Sequence, residues 1–136
     1  MYAGCPITLG STLQPEIALS TIDSEYIALS TVMREVIPFL GLMEEIGGIV
    51  GLLTRKPVFK CTVWEDNDSC IVVANSPKFT PRTKHIAIKY HHFRSFVSSG
   101  KIVVKPIDTT EQLADMLTKP LKAKPSCYLR QKLMGW

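Results

Sequence analysis

Three acidic residues occupy positions from which their carboxylates could together bind a metal ion. Glu25 lies in the first turns of a predicted long helix, Asp66 directly follows a predicted strand, and Asp115 lies on a predicted late helix. Ligands gather beyond the carboxyl ends of the strands in an α/β sheet, so Asp66 is in the favoured place. Carboxylates that converge there would bind Mg²⁺, a hard cation that prefers oxygen ligands. Two such ions, about 4 Å apart, stabilise the attacking and leaving oxygens of a phosphodiester displacement.

Each of these carboxylates also has an ordinary structural explanation. An acidic residue near the start of a helix, such as Glu25, interacts favourably with the helix dipole whatever its function. Asp66 would serve equally well in a turn, and Asp115 as a solvent-facing helix residue. Taken one at a time, the three residues favour these structural roles, so a catalytic interpretation needs further support.

The basic residues are concentrated in the second half of the chain. Residues 1–80 carry nine Asp/Glu and five Lys/Arg, whereas residues 81–136 carry three Asp/Glu and eleven Lys/Arg, for a net charge of +4. A basic half is typical of proteins with a polyanionic partner, although scattered lysines are more often a solvated face. The charge distribution therefore leaves both interpretations open.

The composition excludes several other classes of protein. A hydrophobic content of 46% favours a packed core over bulk disorder. No apolar run approaches the roughly 20 residues of a membrane span, and the first residues do not resemble a secretory signal. The cysteines lack C-x-x-C spacing, so we expect reduced thiols of an intracellular protein and neither a zinc site nor disulfides. They are Cys5, Cys61, Cys70 and Cys127.

The order of predicted elements indicates an α/β sheet covered by helices. A capping box of Ser20 and Asp23 should begin the long helix, Pro38 should kink or split it, and two glycines at 47 and 48 should end it. A second capping box, of Asp108 and Glu111, is expected to begin a later helix. The predicted strands are 3–9, 13–19, 58–65 and 101–107, and the predicted helices are 21–46, 66–76, 86–99, 109–118 and 125–134.

Four segments resemble, in order and spacing, motifs of copia-type retrotransposon Pol polyproteins. The first reads IALSTIDSEYIALS and is similar to the pattern (V/I)ALSSTEAEYxAL. The second reads VWEDNDSCIVVANSP and is similar to xCDNxSAIxLAxNP. The third and fourth read TPRTKHIAIKYHHFR and IDTTEQLADMLTKPL, and are similar to HxRTKHIxIxYHFxR and xTxxQxADxLTKPL. The segments extend from Ile17 to Leu121, and the ending LRQKLMGW resembles the terminus of such polyproteins.

The resemblance implies a ribonuclease H-like domain at 1–121, a mixed sheet flanked by helices, followed by a basic C-terminal helix or tail at 122–136. The family's domain cleaves the RNA strand of RNA–DNA hybrids during reverse transcription, with Mg²⁺ or Mn²⁺ held by carboxylates. Glu25 matches the family's Glu before Tyr, Asp66 the Asp of its CDN motif, and Asp115 the Asp of its last motif. These three residues would be catalytic metal ligands.

The resemblance also implies partners and a place of action. Arg82, Lys84, His85 and Lys119 would contact phosphates, which positions a nucleic acid without reading its sequence. The expected partners are an RNA–DNA hybrid and the upstream reverse-transcriptase part of the polyprotein, with no membrane. Such proteins work in cytoplasmic virus-like particles and then in the nucleus.

One part of the family's pattern has no counterpart in this sequence. The family's domain begins with a strand that carries an Asp in a context like YxDADWAG, so the expected fold lacks the first strand and most of the second. We therefore expect weakened metal binding and negligible hydrolysis by this chain alone. Glu65 adds a carboxylate beside Asp66, but neighbouring strand residues point to opposite faces, which argues against compensation.

Three functions are compatible with these features. The chain is the fragment of a hybrid-cleaving nuclease, a non-catalytic module that binds nucleic acid or reverse transcriptase, or a transposon relic without function. The motifs favour the family and do not choose among the three.

Overall fold

The computed structural model describes residues 4, 6–49, 59–76 and 88–135. The chain forms two compact units, of which one is Glu16–Pro106 and the other combines Met1–Pro15 with Ile107–Trp136. We refer to them as the central unit and the terminal unit, and each is described by itself. The expected boundary between a domain at 1–121 and a tail at 122–136 stays a prediction.

The central unit begins with a long helix, α1 (Thr21–Ile49). As predicted, the Ser20 hydroxyl accepts a hydrogen bond from the backbone N–H of Asp23 at 3.2 Å, which satisfies one free donor of the first turn. The predicted end is wrong, since α1 continues past the two glycines, and Pro38 does not split the helix. Residues on both sides of the proline pack in the same core, and this packing outweighs the missing hydrogen bond.

One face of α1 is buried, as its three- and four-residue periodicity predicts. By length and composition α1 is also apolar enough to cross a membrane, with a mean hydropathy of 1.4. The core helix of a globular protein meets the same criterion. Such a helix packs one apolar face against the core, and α1 has a buried face of this kind. Its buried residues include Tyr26, Leu29, Met33 and Leu40.

Two parallel strands pack beside α1. β1 (Cys61–Glu65) pairs with β2 (Ile102–Pro106), and Cys61 lies opposite Ile102. Parallel strands require a crossover connection, and the described part of this one contains α2 (Asp68–Asn75). This arrangement agrees with the predicted α/β class. The predicted ribonuclease H-like fold requires a larger mixed sheet than these two strands and stays a prediction.

The rest of the crossover differs from the single amphipathic helix that the sequence predicts. It contains a 3₁₀ turn, Ile88–His91, followed by the short helix α3 (Arg94–Ser98). Gly100 ends this segment with φ of +73°, a left-handed conformation that glycine adopts without strain. The buried aromatic residues Tyr90 and Phe93 still reach the core from the interrupted helix.

The hydrophobic core of the central unit lies between α1, α2, the 3₁₀ turn, α3 and the inner face of the strands. Its largest fully buried members are Tyr26, Met33, Phe93 and Ile102. Cys70 and Ala74 of α2, together with Val104 of β2, complete the contact between the sheet and the helices.

The strands expected near the amino terminus are absent from the described residues of 3–9 and 13–19. Proline at positions 6 and 15 removes backbone donors that a sheet ladder would need. Leu13 and Ile17 are almost fully exposed, at 97% and 93%, so this stretch gains little from burying apolar surface.

The described part of the terminal unit contains two helices. A 3₁₀ turn, Thr109–Glu111, precedes α4 (Asp115–Thr118), and α5 (Ala123–Met134) follows. The helix expected at 109–118 is therefore broken. Asp108 caps only the 3₁₀ turn, since its carboxylate accepts the Thr110 N–H at 2.8 Å.

The core of the central unit can be tested by neighbouring substitutions on α1. Met33 is fully buried, whereas Val32 is 51% exposed. Met33→Ala should lower the free energy of unfolding by about 2–5 kcal/mol, because it removes buried methylenes and leaves a cavity. Val32→Ala should change it by less than about 0.5 kcal/mol. Urea unfolding followed by circular dichroism measures both, and equal effects would show that α1 does not bury this face.

Candidate functional site

The carboxyl end of β1 and the start of α1 position the candidate site in the central unit. Glu65 is the last residue of β1 and Asp66 follows it, while Glu25 lies one turn into α1. Asn67 then begins α2, and its side-chain oxygen accepts the backbone N–H of Cys70 at 3.1 Å. The strand end is thereby fixed by a helix cap directly beside the carboxylates.

Glu65 is the most buried carboxylate of this group, with 6% exposure. Its Oε1 accepts a hydrogen bond from the backbone N–H of Asn67 at 3.1 Å. Burial, with a smaller contribution from the negative charges of Glu25 and Asp66, raises the pKa of Glu65 to about 7. Glu25, Glu65 and Asp66 therefore interact, and we call them the acidic cluster.

Glu65 is buried on β1 and feels the charges of Glu25 and Asp66, while its direction relative to the Asp66 side chain stays a prediction. On β1 the inward positions alternate, and Glu65 continues the more buried series of Cys61 and Val63. Successive side chains of a strand point to opposite faces. Asp66 lies beyond the end of β1, so this rule does not apply to it. The period-two pattern counted from Cys61 is the sequence signal that identifies Glu65 as inward-facing.

Cys70 lies against the acidic cluster, and its sequence context does not indicate this position. Its side chain is fully buried. Burial strongly raises the pKa of the thiol, and the charges of Glu65, Glu25 and Asp66 raise it further. Cys70 is therefore a neutral packing residue at physiological pH and neither a nucleophile nor a thiolate ligand.

A buried hydrogen-bond network fixes the start of α1. Arg94 donates from Nε to the Tyr26 hydroxyl at 3.1 Å, and the same hydroxyl shares a hydrogen bond with Nδ1 of His91 at 2.8 Å. Arg94 also donates from Nη2 to the backbone oxygen of Val73 at 3.1 Å. Because Tyr26 is the neighbour of Glu25, the network ties the helix that carries this carboxylate to α2 and α3.

The third predicted ligand, Asp115, belongs to the terminal unit. It is buried at the start of α4, and its carboxylate pairs with the ammonium group of Lys119 at 2.9 Å. Lys119, predicted to contact nucleic acid, thus already has an anionic partner, although its side chain is 51% exposed. The other predicted nucleic-acid contacts, Arg82, Lys84 and His85, lie outside the described residues.

The donor chemistry of the acidic cluster fits a hard divalent cation. Its side chains offer only oxygen atoms, which Mg²⁺ and Mn²⁺ prefer. The pKa of Glu65 is raised mainly by burial and also by the charges of Glu25 and Asp66, and a bound cation would relieve that repulsion between the carboxylates. Within residues 4, 6–49, 59–76 and 88–135, no three acidic, histidine or cysteine side chains are arranged as a metal-binding group.

The burial of Glu65 predicts a pH-dependent stability. The folded protein binds the Glu65 proton more tightly than the unfolded chain does, so stability falls as the pH rises from the ordinary value of 4.5 through about 7. Glu65→Gln should therefore raise the free energy of unfolding at pH 8 by about 1–3 kcal/mol and change it little at pH 4.5. Urea titrations in EDTA at both pH values measure this difference.

Glu45→Gln is the matched control, because Glu45 is exposed on α1. It should leave the pH dependence of stability unchanged. If Glu65→Gln destabilises the protein equally at both pH values, the Glu65 carboxylate is not the group that costs stability at high pH.

Comparison with known proteins relates the chain to transposon polyproteins. It is 48% identical over 69 residues to the Retrovirus-related Pol polyprotein from transposon RE1 of Arabidopsis thaliana, and 44% identical over 69 residues to that from transposon RE2 of the same plant. Each match covers 51% of this chain and 4% of the relative. It is 36% identical over 118 residues to the polyprotein from transposon TNT 1-94 of Nicotiana tabacum, covering 87% of this chain and 8% of the relative.

No protein-family model matches the chain, and no solved structure matches it. The chain spans only 4% to 8% of the length of these curated relatives. The resemblance carried by the sequence motifs is confirmed at the level of the polyprotein: the chain is homologous to a short part of the retrovirus-related Pol polyproteins of transposons.

Proposed function

We propose that the chain is part of a ribonuclease H-like domain of a Pol polyprotein and contributes to cleavage of the RNA strand of RNA–DNA hybrids. The observation that supports this most directly is the acidic cluster at the carboxyl end of β1. Parallel α/β sheets bind ligands at this edge, and Glu25 and Asp66 are the residues that match the motifs. The relatives supply the context of reverse transcription in which such an activity is needed.

Under this proposal Glu25, Asp66 and Asp115 hold Mg²⁺. The bound ion supplies electrostatic stabilisation of the negative charge that develops on the phosphate oxygens. The chain's own contribution is to hold the carboxylates in place. The Tyr26 network fixes the helix that carries Glu25, and the Asn67 cap fixes the strand end that carries Asp66.

The same proposal assigns the basic residues to substrate binding. Arg82, Lys84, His85 and Lys119 would contact phosphates of the hybrid and position it over the carboxylates. The upstream reverse-transcriptase part of the polyprotein would be the protein partner, and the site of action would be cytoplasmic particles followed by the nucleus.

Cleavage of a labelled RNA–DNA hybrid tests the proposal. The chain alone should give negligible cleavage, because the resemblance places a further metal-binding Asp in the family's upstream strand. Fusion to the corresponding upstream segment of the tobacco relative should give Mg²⁺-dependent cleavage. Asp66→Asn in that fusion should lower the rate on the order of 10³-fold, since metal coordination contributes several kcal/mol.

Asp68→Asn is the matched control for this experiment. Asp68 is exposed in the first turn of α2, two residues from Asp66, and the proposal gives it no ligand role. The fusion with Asp68→Asn should keep its activity within about twofold. Equal activity of the wild-type and Asp66→Asn fusions would contradict the proposed function, and cleavage by the unfused chain would contradict the expected need for the upstream strand.

A further inference from the structure

The terminal unit contains a groove of about 500 Å³ beside α5. Its floor is apolar and includes Leu121, Pro125 and Leu129, while Lys124 and Tyr128 line it as the larger polar side chains. A cavity of this size is in the range that holds a small organic ligand, and an apolar floor with few polar groups is typical of such sites. The groove therefore has the size and composition to bind a flat organic group that carries a charge.

Two acidic residues around the groove, Asp115 and Glu111, have lysine partners. Asp115, which also lines the groove, pairs with Lys119 at 2.9 Å. Glu111 accepts a hydrogen bond from the Tyr128 hydroxyl at 2.6 Å and forms an ion pair with Lys132. The negative charges of these carboxylates are thus balanced by neighbours and do not oppose an anionic ligand.

Lys124, which lines the groove, and Lys122, which lies two residues earlier at the start of α5, differ from the paired lysines. Lys122 and Lys124 are exposed at the start of α5, and neither forms an ion pair with a residue that the structure describes. Cations near the beginning of a helix interact unfavourably with its dipole, so these positions do not serve the stability of α5. They provide a local positive charge next to an apolar floor.

Tyr128 adds a fixed aromatic wall. Its hydroxyl is held by Glu111, and the Lys132 ammonium lies 4.9 Å from the ring centroid. A ring held in this way presents an aromatic surface at low conformational cost. Bases of single-stranded segments bind such aromatic side chains, while lysines bind the phosphates between them.

We propose that this groove binds one nucleotide unit of a nucleic-acid strand, with the phosphate at Lys122 and Lys124 and the base or sugar against Tyr128 and the apolar floor. The inference rests on the proposed function, because Asp115 lines the same groove. It adds a substrate contact on α5 that none of the four sequence motifs contains.

Binding of a short fluorescein-labelled RNA–DNA hybrid with a single-stranded RNA overhang in EDTA, followed by fluorescence anisotropy, tests the groove without cleavage. Lys124→Ala should weaken binding about fivefold and reduce the magnitude of the salt slope by about 0.9, as loss of one phosphate contact does. Tyr128→Ala should weaken binding about tenfold, in line with loss of one stacking contact. Tyr128→Phe keeps the ring and should bind within about twofold of the wild type.

Lys60→Ala is the matched control, because Lys60 is an exposed lysine of the central unit. It should change binding less than twofold, and circular dichroism should show that all variants keep the wild-type fold. In an isotope-labelled chain, the hybrid should shift the backbone amide signals of residues 109–110 and 121–129. These chemical-shift changes are measured on the wild-type chain, so they detect binding at the groove without any substitution.

The proposal is overturned if Lys124→Ala and Lys60→Ala bind the hybrid alike, or if the signals of the groove do not respond to it. Loss of binding only to an upstream reverse-transcriptase fragment would assign the groove to a protein partner and would also overturn it. Failure of the proposed function is distinct. In that case Asp66→Asn leaves cleavage by the fusion unchanged while the groove variants still lose hybrid binding.

Discussion

The central unit depends on the complete burial of Tyr26 with its hydroxyl satisfied. A buried hydroxyl without partners would cost several kcal/mol, so His91 and Arg94 must come to it from a segment more than 60 residues away. The ring packs on Phe93 with centroids 5.5 Å apart, which adds apolar contact to the same junction. One side chain thereby determines where α1 lies relative to α2 and α3.

That constraint has a consequence for the carboxylates. Glu25 is adjacent to Tyr26, and the inward series of β1 ends with Glu65, so negative charges gather beside the core. A core chosen for stability alone would place an apolar residue at position 65, because a desolvated carboxylate opposes folding above its raised pKa of about 7. A carboxylate kept at such a cost is typical of functional sites, where perturbed pKa values are concentrated.

The sequence predicts the elements whose pattern is long or strongly capped. The face of α1, the two strands and the Asn67 region follow from periodicity and side-chain chemistry that act locally. Two predicted helices are interrupted, after His91 and after Glu111. Local sequence does not predict these interruptions, because tertiary contacts cause them. Tyr90 and Phe93 reach the core from an interrupted helix, and Glu111 bonds to Tyr128 of α5 where a cap was expected. Of the candidate site, the motifs identify Glu25 and Asp66, whereas the inward position of Glu65 depends on where β1 ends.

The basic second half shows why charge counts alone do not identify a binding surface. Lys119 and Lys132 each form an ion pair with a carboxylate of the terminal unit, so their presence in the sequence has an explanation within the fold. Lys122 and Lys124 have no such role and stand against the dipole of α5. Evenly solvated lysines would not be divided in this way. The division between paired and unpaired cations, and the apolar groove beside the unpaired ones, are the two observations on which the proposed phosphate-binding surface rests.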